Sequence, residues 1–427
     1  MPTLGAIADD FTGATDLATM LVARGHRTVV AVGPDGVDAE GAYGPDADTD
    51  AVVVALKSRT APVADAVGAS LAALRALRAA GCRRFYFKYC STFDSTPKGN
   101  IGPVADAFLD ELGERRTVVV PSFPATGRTV YRGRLFVHDE LLEESPMRDH
   151  PLTPMRDSRV PRLLEPQTSR PVALVGLDTV RAGADALRAA LDDPALADAL
   201  VVVDAVSDAD LRVIAAATEN FALVTGAAGL AVGLSGPHAG SARAAAASRP
   251  GDPAVVLSGS ASAATRAQVA HGRAHLPHRK LDLARLREDF TGGVADLTAF
   301  VRAYWREDRE RPPLLYAVGS AEDLEQETPA GAEPAAELVE RALAACAVEL
   351  VAAGARRLLV AGGETSGAVV TALGARSLAV GAPIAPGVAW ARTEVTAHGR
   401  RETVDLALKS GNFGTAAIFT EAWERLA

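Results

Sequence analysis

Residues 3–18 read TLGAIADDFTGATDLA, and this stretch decides the fold: a short apolar run, two adjacent acids, then an Ala-rich segment. The apolar run predicts a buried strand at residues 3–8, and the segment after the acids predicts a helix. Ligands of open parallel sheets bind beyond the carboxyl ends of the strands. The stretch therefore predicts an α/β unit with a functional loop directly after its first strand.

The same alternation continues along the chain. Further strands are predicted at residues 27–32, 51–56, 84–88, 117–121, 171–176, 199–204, 221–225, 254–258, 314–319 and 357–361. Helices are predicted between many of them, at residues 62–80, 101–112, 208–218 and 334–353. Short, continuously apolar, Val-rich strands are typical of parallel sheets that are buried on both faces. The predicted fold class is α/β, with two α/β domains and mainly parallel sheets.

The length of the chain and a linker-like segment predict the domain organisation. A chain of 427 residues suggests two domains or more. Residues 236–252, GPHAGSARAAAASRPGD, are rich in small residues and have the character of a linker. We predict an N-terminal domain at residues 1–240 and a C-terminal domain at residues 253–427. Residues 130–171 lack periodicity and predict a long loop or a small insertion of the first domain. The sequence predicts no structural or functional role for residues 303–333.

Composition excludes several classes of protein. The 44 Lys+Arg and 53 Asp+Glu give a net charge of −9, which argues against a nucleic-acid partner because phosphate neutralisation needs a basic face. Cys82, Cys90 and Cys346 form no C-x-x-C pair, as expected in a reducing compartment. We find no export signal and no apolar run of ~20 residues, so we expect a cytoplasmic protein without a membrane partner.

The first candidate site follows the first predicted strand. Adjacent carboxylates at Asp9 and Asp10 can accept hydrogen bonds from sugar hydroxyls, act as a general base or hold a metal. The alternative is that they cap the following helix. The second acid, together with Thr12, Gly13 and Asp16, favours a site. His271 and His275 have zinc-like spacing but no third ligand, so we predict no metal-ligating residue.

Three further strand-end loops add cations and hydroxyls to this half. Residues 88–102, KYCSTFDSTPKGNIG, carry Asp94 and two of the five lysines of the chain. Because arginine is the abundant cation here, a lysine suggests a role that needs a compact ammonium, such as binding a small anion. Residues 57–60, KSRT, and residues 121–128, PSFPATGR, supply more cations. Such a pocket suits a small polyhydroxylated acid, whereas each loop alone can be a solvated turn. Cys90 has no neighbouring His and is disfavoured as a nucleophile.

Small-residue loops in the second half predict a nucleotide-phosphate site. SGSAS (258–262) and GGETSG (362–367) each link a predicted strand to a helix, and LKSGNFG (408–414) lies near the C-terminus. The amides of a helix N-terminus bind phosphate oxygens, and glycine lets an anion approach the backbone. Glycine also makes ordinary tight turns, which is the alternative. There is no Walker-type G-x-x-x-x-G-K-[ST] motif, and no G-x-G-x-x-G follows a strand.

Six segments together carry a family resemblance: IADDFTGATDLA, FKYCSTFDSTPKGNIGP, PSFPATGRTVYRGRLFV, LSGSAS, VAGGETSGAVV and LALKSGNFG. They resemble the four-carbon acid sugar kinase family, in particular its 3-oxo-tetronate kinases, from residue 3 to residue 414. The resemblance implies a sugar-acid-binding N-terminal domain, a nucleotide-binding C-terminal domain and an active site in the cleft between them. It also implies ATP-dependent phosphorylation of the 4-hydroxyl of a 3-oxo-tetronate (3-dehydro-erythronate).

The resemblance and the loops together assign roles. By motif, the ATP contacts fall on Ser258, Gly362, Gly363, Glu364, Thr365 and Gly411. Asp10 is the predicted acid that accepts or orients the hydroxyl proton, with Asp9 and Asp94 as the next candidates. The predicted substrate-binding residues are Lys57, Arg59, Lys88, Ser91, Thr92 and Arg128. We expect in-line phosphoryl transfer, with Mg²⁺ bridging the β- and γ-phosphates.

Other functions remain open at this point. A sister kinase of the same family would act on D-threonate or D-erythronate. An aspartate-nucleophile phosphatase requires the motif D-x-D-x-[TV], whereas Asp9 and Asp10 are adjacent. A sugar-acid sensor that binds nucleotide without turnover would be a non-enzyme, but the sequence shows no DNA-binding module. The oligomeric state is open as well, with a homo-oligomer as one alternative.

Overall fold

The computed structural model describes residues 2–38, 44, 48–149, 153–238, 251–324 and 331–426. The chain forms two compact units, one that ends at Ala242 and one that consists mainly of Arg243–Ala427. Residues 239–250 of the predicted linker lie outside the described residues. Along the described residues, no helix combines the length and the apolar character that crossing a membrane requires.

The first unit is built on a parallel sheet. Its strands in chain order are β1 (Leu4–Ala8), β2 (Thr28–Val32), β3 (Ala51–Ala55), β4 (Arg84–Lys88), β5 (Thr117–Val120), β6 (Arg128–Tyr131), β7 (Arg134–Val137), β8 (Glu140–Leu141), β9 (Val172–Val175), β10 (Leu200–Val203) and β11 (Leu223–Gly226). Among the described residues, eight of these strands form one sheet in the order β2-β3-β1-β4-β11-β5-β10-β9, and every pairing is parallel. The strands predicted for this half are confirmed to within two residues at each end, as is usual for such boundaries.

Helices cover this sheet, which is why its central strands β1 and β11 are buried along their whole length. They are α1 (Phe11–Ala23), α2 (Val63–Ala79), α3 (Ile101–Leu112), α4 (Val160–Leu164), α5 (Leu177–Arg181), α6 (Ala184–Leu191) and α7 (Asp208–Ala217). Pro62 lies one residue before α2, where a missing N–H costs nothing. Ser207 and Asp210 form a capping box that fixes the start of α7. Phe87, Tyr89 and Phe108 pack edge to face in the core beneath β4.

The aperiodic stretch 130–171 contains a small insertion. Strands β6, β7 and β8 form an antiparallel sheet of their own. Arg132 and Gly133 connect β6 to β7 with φ angles of 51° and 69°, as a two-residue hairpin turn requires. Asp204, which follows β10, accepts hydrogen bonds from both of their N–H groups and from that of Leu177. These bonds attach the hairpin to the end of the parallel sheet.

The second unit has a mixed sheet. Its strands are β12 (Ala254–Ser258), β13 (His278–Lys280), β14 (Leu314–Tyr316), β15 (Arg357–Ala361), β16 (Ser377–Ala385), β17 (Val388–Ala397) and β18 (Arg400–Lys409). Among the described residues their order is β13-β14-β12-β15-β18-β17-β16. The pairings from β13 to β18 are parallel, whereas β16, β17 and β18 pair antiparallel. Strands β13, β16, β17 and β18 were not predicted from the sequence.

The helices of the second unit complete its layers. They are α8 (Ala263–His275), α9 (Leu283–Glu288), α10 (Phe290–Glu307), α11 (Ala335–Ala352), α12 (Gly363–Ala372) and α13 (Ile418–Glu421). The predicted helix at 334–353 is confirmed as α11. The predicted strand at 314–319 is shorter, because β14 ends at Tyr316. Residues 303–333, which had no predicted role, contain the end of α10 and β14, and residues 325–330 lie outside the described part.

Candidate active site

Strand register brings three loops of the first unit together. Ala8 at the end of β1 pairs with Ala55 on one side and with Lys88 on the other. Because the three strands are parallel, the loops that follow them leave the sheet at the same edge. The N–H of Asp9 donates to the carbonyl of Lys88 at 3.1 Å, and the N–H groups of Ser58 and Arg59 donate to the carbonyl of Asp9. Backbone hydrogen bonds therefore fix the acid pair against its neighbours.

Arg59 is the centre of the charged cluster. Its Nε and Nη2 atoms donate to the two carboxylate oxygens of Asp9 at 2.9 and 2.7 Å. Nη2 also donates to Oδ1 of Asp10 at 2.8 Å, and Nη1 lies 3.9 Å from Oδ2 of Asp94. Two-pronged pairing of this kind is the strongest that a guanidinium makes with a carboxylate. The three predicted catalytic acids are thus brought together by a residue that we had predicted to bind substrate.

The two adjacent acids differ in their electrostatics. Burial raises the pKa of Asp9, although the charge and hydrogen bonds of Arg59 oppose the rise. Burial also disfavours the charged form of Asp10, but Arg59 and Lys88 outweigh it and lower the pKa of Asp10. Asp10 in addition caps α1, accepting from the N–H of Gly13 and the hydroxyl of Thr12, both at 2.8 Å. Asp10 therefore remains ionised at neutral pH. It both caps α1 and belongs to the charged cluster around Arg59.

Lys88 and Asp16 extend the cluster into the protein. The Lys88 side chain is 3% exposed, and its Nζ lies 3.8 Å from Oδ2 of Asp16 and donates to the carbonyl of Tyr89. Burial is the main cause that raises the pKa of Asp16 to about 6, and Lys88 opposes it. Oδ1 of Asp16 has no hydrogen-bond partner in the described part of the chain. Asp16 was not among the predicted site residues, although an acid on the buried face of a helix is a signal that could have selected it.

The titration of Asp16 gives a prediction for pH-dependent stability. Because its folded-state pKa lies above the unfolded value, folding binds a proton between pH 4 and pH 6. The stabilisation from this group is therefore complete below pH 4 and is lost as the pH rises through 6. A change from 3.8 to about 6 corresponds to about 3 kcal/mol. Asp16→Asn removes the titration, so urea unfolding should increasingly favour the variant over wild type between pH 4 and pH 7.

Asp185→Asn is the control, because the exposed Asp185 carboxylate carries the same charge on the surface. A wild-type-to-Asp16→Asn difference that stays constant over this pH range would contradict the prediction.

The loop after β4 joins the cluster through Asp94. The Thr92 hydroxyl donates to Oδ1 of Asp94 at 2.5 Å, and Sγ of Cys90 lies 2.9 Å from the same hydroxyl. Burial and the charge of Asp94 raise the pKa of Cys90 to about 12, so its thiol stays protonated. This agrees with the expectation that Cys90 is not a nucleophile. Ser91 is buried in the same loop.

The remaining predicted substrate cations lie at different depths. Arg128 is half-buried, and burial lowers its pKa against the opposing charges of Cys90, Asp94 and Asp16. Its Nη1 donates to the carbonyl of Thr126. Lys57 is exposed. The charges of Asp94 and Asp16 therefore act on Arg128. The hydrogen bonds and ion pairs of the acid cluster named here do not involve Lys57.

Asn100 is a site residue that the sequence analysis missed. Its Nδ2 reaches three carbonyls of the loop after β3, those of Ser58 at 2.7 Å, Arg59 at 3.2 Å and Ala61 at 3.0 Å. Asn100 holds the N-cap position of α3 without capping it. The side chain instead fixes the backbone that presents Arg59. The family-like segment around residue 100 contains this asparagine but does not reveal its partner.

Three loops also converge in the second unit. The parallel register aligns Ser258 with Ala361 and Ala361 with Lys409, so the loops after β12, β15 and β18 leave the sheet together. Ser262 caps α8 by accepting from the N–H of Thr265. The hydroxyls of Ser262 and Thr265 both donate to the carbonyl of Gly411, at 2.7 and 2.8 Å. All three loops that were predicted to hold phosphate therefore lie at one sheet edge.

Close packing explains the glycines of these loops. Gly362 has a φ of +123°, and a Cβ there would lie 2.9 Å from Oγ1 of Thr365 and 3.2 Å from the N atom of Ser260. A Cβ on Gly411 would lie 2.7 Å from Oγ of Ser260. Within the described residues, the first turn of α12, whose N-cap is Gly362, has no side-chain cap, so the N–H groups at the start of this helix lack that partner. A helix start without a side-chain cap, beside glycines that leave no room for a Cβ, fits the phosphate oxygens of a nucleotide.

Comparison with known proteins supports both halves of this description. Residues 4–234 match the family model of a sugar-binding N-terminal domain, and residues 255–419 match that of a nucleotide-binding C-terminal domain. The 3-oxo-tetronate kinase of Burkholderia multivorans is 51% identical over 100% of this chain and 97% of its own. The 3-oxo-tetronate kinase of Cupriavidus necator is 49% identical over the same shares.

Solved structures agree with the fold. A Salmonella typhimurium LT2 protein, provisionally described as a tRNA synthase, matches with a TM-score of 0.83 and 40% identity over 99% of both chains. A Haemophilus influenzae protein matches with a TM-score of 0.76 and 40% identity over 99% of this chain and 100% of its own. The chain belongs to the four-carbon acid sugar kinase family.

Proposed function

We propose that this protein is an ATP-dependent kinase that phosphorylates the 4-hydroxyl of a 3-oxo-tetronate. The observation that carries the proposal is the full-length identity of 49–51% to curated 3-oxo-tetronate kinases. The acid cluster of the first unit and the glycine-rich loops of the second supply the two chemical environments that such a reaction needs. A net charge of −9 lends no support to a tRNA-handling function.

In the first unit, the acid cluster would hold the sugar acid. Asp10, which is ionised and fixed by Gly13 and Arg59, is suited to accept or orient the proton of the attacking hydroxyl. Asp9 and Asp94 are the other candidates, because they share Arg59 with Asp10. Lys57, Arg59, Lys88 and Arg128 are the proposed cations for the substrate carboxylate, and the hydroxyls of Ser91 and Thr92 the proposed partners of substrate hydroxyls.

In the second unit, the loops would hold ATP. Ser258, the segment from Gly362 to Thr365, and Gly411 are the proposed contacts. The buried hydroxyl of Ser258 has no partner in the described part of the chain, as expected of a donor kept for a ligand. Mg²⁺, when bound, would neutralise charge on the β- and γ-phosphates. Transfer requires the acid cluster and the phosphate loops to share one substrate complex, and their meeting between the two units stays a prediction.

Acid-dependent ADP release tests the function. A coupled assay with a panel of four-carbon acids should show fastest turnover with a 3-oxo-tetronate, and phosphorus NMR should place the new phosphate on the 4-hydroxyl. Preference for D-threonate or D-erythronate would instead identify the sister kinase. ADP release that no acid stimulates would contradict the kinase proposal and would leave a binding protein as the alternative.

Asp10→Asn in the same assay tests the base. An asparagine retains an oxygen that can cap α1 but lacks the negative charge. Turnover within about threefold of wild type, which is less than ~1 kcal/mol of barrier, would exclude Asp10 from this role.

A further inference from the structure

Lys409 is a buried lysine that the proposed mechanism does not use. It is the last residue of β18, and its side chain is fully buried. Its Nζ donates to the carbonyl of Ser410 at 2.7 Å, the carbonyl of Gly411 at 3.1 Å and Oγ1 of Thr265 at 3.2 Å. Those three acceptors match the three donors of an ammonium. The structure records no ion pair between Lys409 and an acid within the described residues.

A cation in this environment needs an explanation beyond stability. Burial lowers the pKa of Lys409 to about 7, because the ammonium loses its hydration and gains no carboxylate in return. An apolar side chain of similar size would avoid that cost. The three hydrogen bonds all lead to the loop after β18 or to the first turn of α8. The lysine therefore stabilises a local backbone geometry at the expense of burying a charge.

The carbonyl of Gly411 is where these interactions meet. It accepts from Nζ of Lys409, from Oγ of Ser262 and from Oγ1 of Thr265. The described chain contains no cis peptide bond, so the N–H of Asn412 points in the opposite direction to this carbonyl. Ser262 and Thr265, at the start of α8, hold the carbonyl side of the Gly411–Asn412 peptide, so its N–H points away from these two residues.

We infer that Lys409 is a positioning residue of the nucleotide site. It holds the Gly411–Asn412 peptide so that the N–H of Asn412 is presented to a phosphate oxygen of the nucleotide, while Lys409 itself touches no substrate. This inference rests on the proposed function and adds to it the residue that orders the loop after β18. Thr265, which bonds to both Lys409 and Gly411, belongs to the same arrangement.

Lys409→Met tests the inference, since methionine has a similar length and no donor. Calorimetric titration of the full-length protein with a non-hydrolysable ATP analogue should give a Kd raised about 10- to 100-fold, the range expected from losing a charged donor. KM for ATP should rise in parallel, with kcat and KM for the acid within about threefold of wild type. Thr265→Val should raise the same Kd and add little to Lys409→Met, because both act on one carbonyl.

Lys280→Met is the matched control, because Lys280 is a partly exposed lysine paired with Asp323. It should bind the analogue as wild type does. Analogue binding by Lys409→Met that equals wild type overturns the inference, as does an equal loss of ATP and acid affinity accompanied by a lower melting temperature. If wild type binds the analogue but transfers phosphate to no acid, the proposed function fails, and the Kd ratio still decides the role of Lys409.

Discussion

Arg59→Met is expected to lower acid-dependent turnover by about 10²- to 10³-fold, as loss of one essential charged donor does in other active sites. It should also lower the free energy of unfolding by about 3–5 kcal/mol, the usual cost of removing one partner of a buried ion pair. The reason is that the guanidinium pairs with Asp9 and Asp10 and lies beside Asp94. Without it, the three acids lose the cation that pairs with them directly, and only the charge of Lys88 remains to offset those of Asp9 and Asp10.

Urea unfolding and the ADP-release assay measure the two effects. Arg75→Met is the matched control: Arg75 makes the same two-pronged contact with Glu111, but its side chain is 61% exposed. Removing a surface pair should cost at most ~1 kcal/mol and leave turnover unchanged. Arg59→Lys should recover little activity, because an ammonium cannot bridge two carboxylates with the fork geometry of arginine. Equal stability losses in the Arg59→Met and Arg75→Met variants would refute the central role of Arg59.

Gly362→Ala should weaken nucleotide binding by about 30-fold or more, equivalent to ~2 kcal/mol. A methyl group at this position meets Oγ1 of Thr365 at 2.9 Å and the N atom of Ser260 at 3.2 Å, so either the loop or the start of α12 must move. The φ of +123° adds backbone strain of about 1–3 kcal/mol for any residue with a side chain. The expected readouts are a raised Kd for an ATP analogue and a raised KM for ATP.

Gly374→Ala is the control that separates the effect of backbone strain from an effect on the nucleotide site. Gly374 follows the other end of α12 with a φ of +64°, and a Cβ there meets no atom within 4 Å. The alanine should cost about 1–2 kcal/mol of stability through backbone strain alone and leave the nucleotide Kd unchanged. If the two variants bind the analogue equally well, the glycine-rich loop after β15 is not the phosphate site.

Most of the parallel strands were predictable because they are short, continuously apolar runs that alternate with helical segments. The parallel strand β13 was not predictable in this way, because it reads HRK and is exposed. The antiparallel strands β16, β17 and β18 were not predicted. Their faces are unequally buried, as in β17, where buried and less buried residues alternate from Arg392 onward. In an Ala-rich stretch such alternation is weak, since alanine is compatible with either face. The shortened β14 and the hairpin of β6 and β7 likewise depend on turns that the local pattern does not reveal.

The candidate site followed the same division. The acids and glycines of the site could be predicted from the sequence, because they directly follow predicted strands and ligands of parallel sheets bind at the carboxyl ends of strands. The partner of each residue was not visible. Arg59 was predicted to bind substrate, and the structure shows that it also pairs with Asp9 and Asp10. Asp16 and Asn100 lie inside family-like segments that do not reveal their partners, and Thr265 lies outside all six segments.

The amino-acid sequence by itself determined the α/β class, the family and the loops that carry chemistry, because strand periodicity, helix starts and glycine placement are properties of neighbouring residues. Only the tertiary structure decided that Arg59 lies among three carboxylates and that Lys409 supports the Gly411 carbonyl. The contact of Arg59 with Asp9 joins residues 50 positions apart, and the contact of Lys409 with Thr265 joins residues 144 positions apart; the register of parallel strands brings both pairs together. Burial then sets their charges, and burial is a property of the folded chain that no local pattern contains.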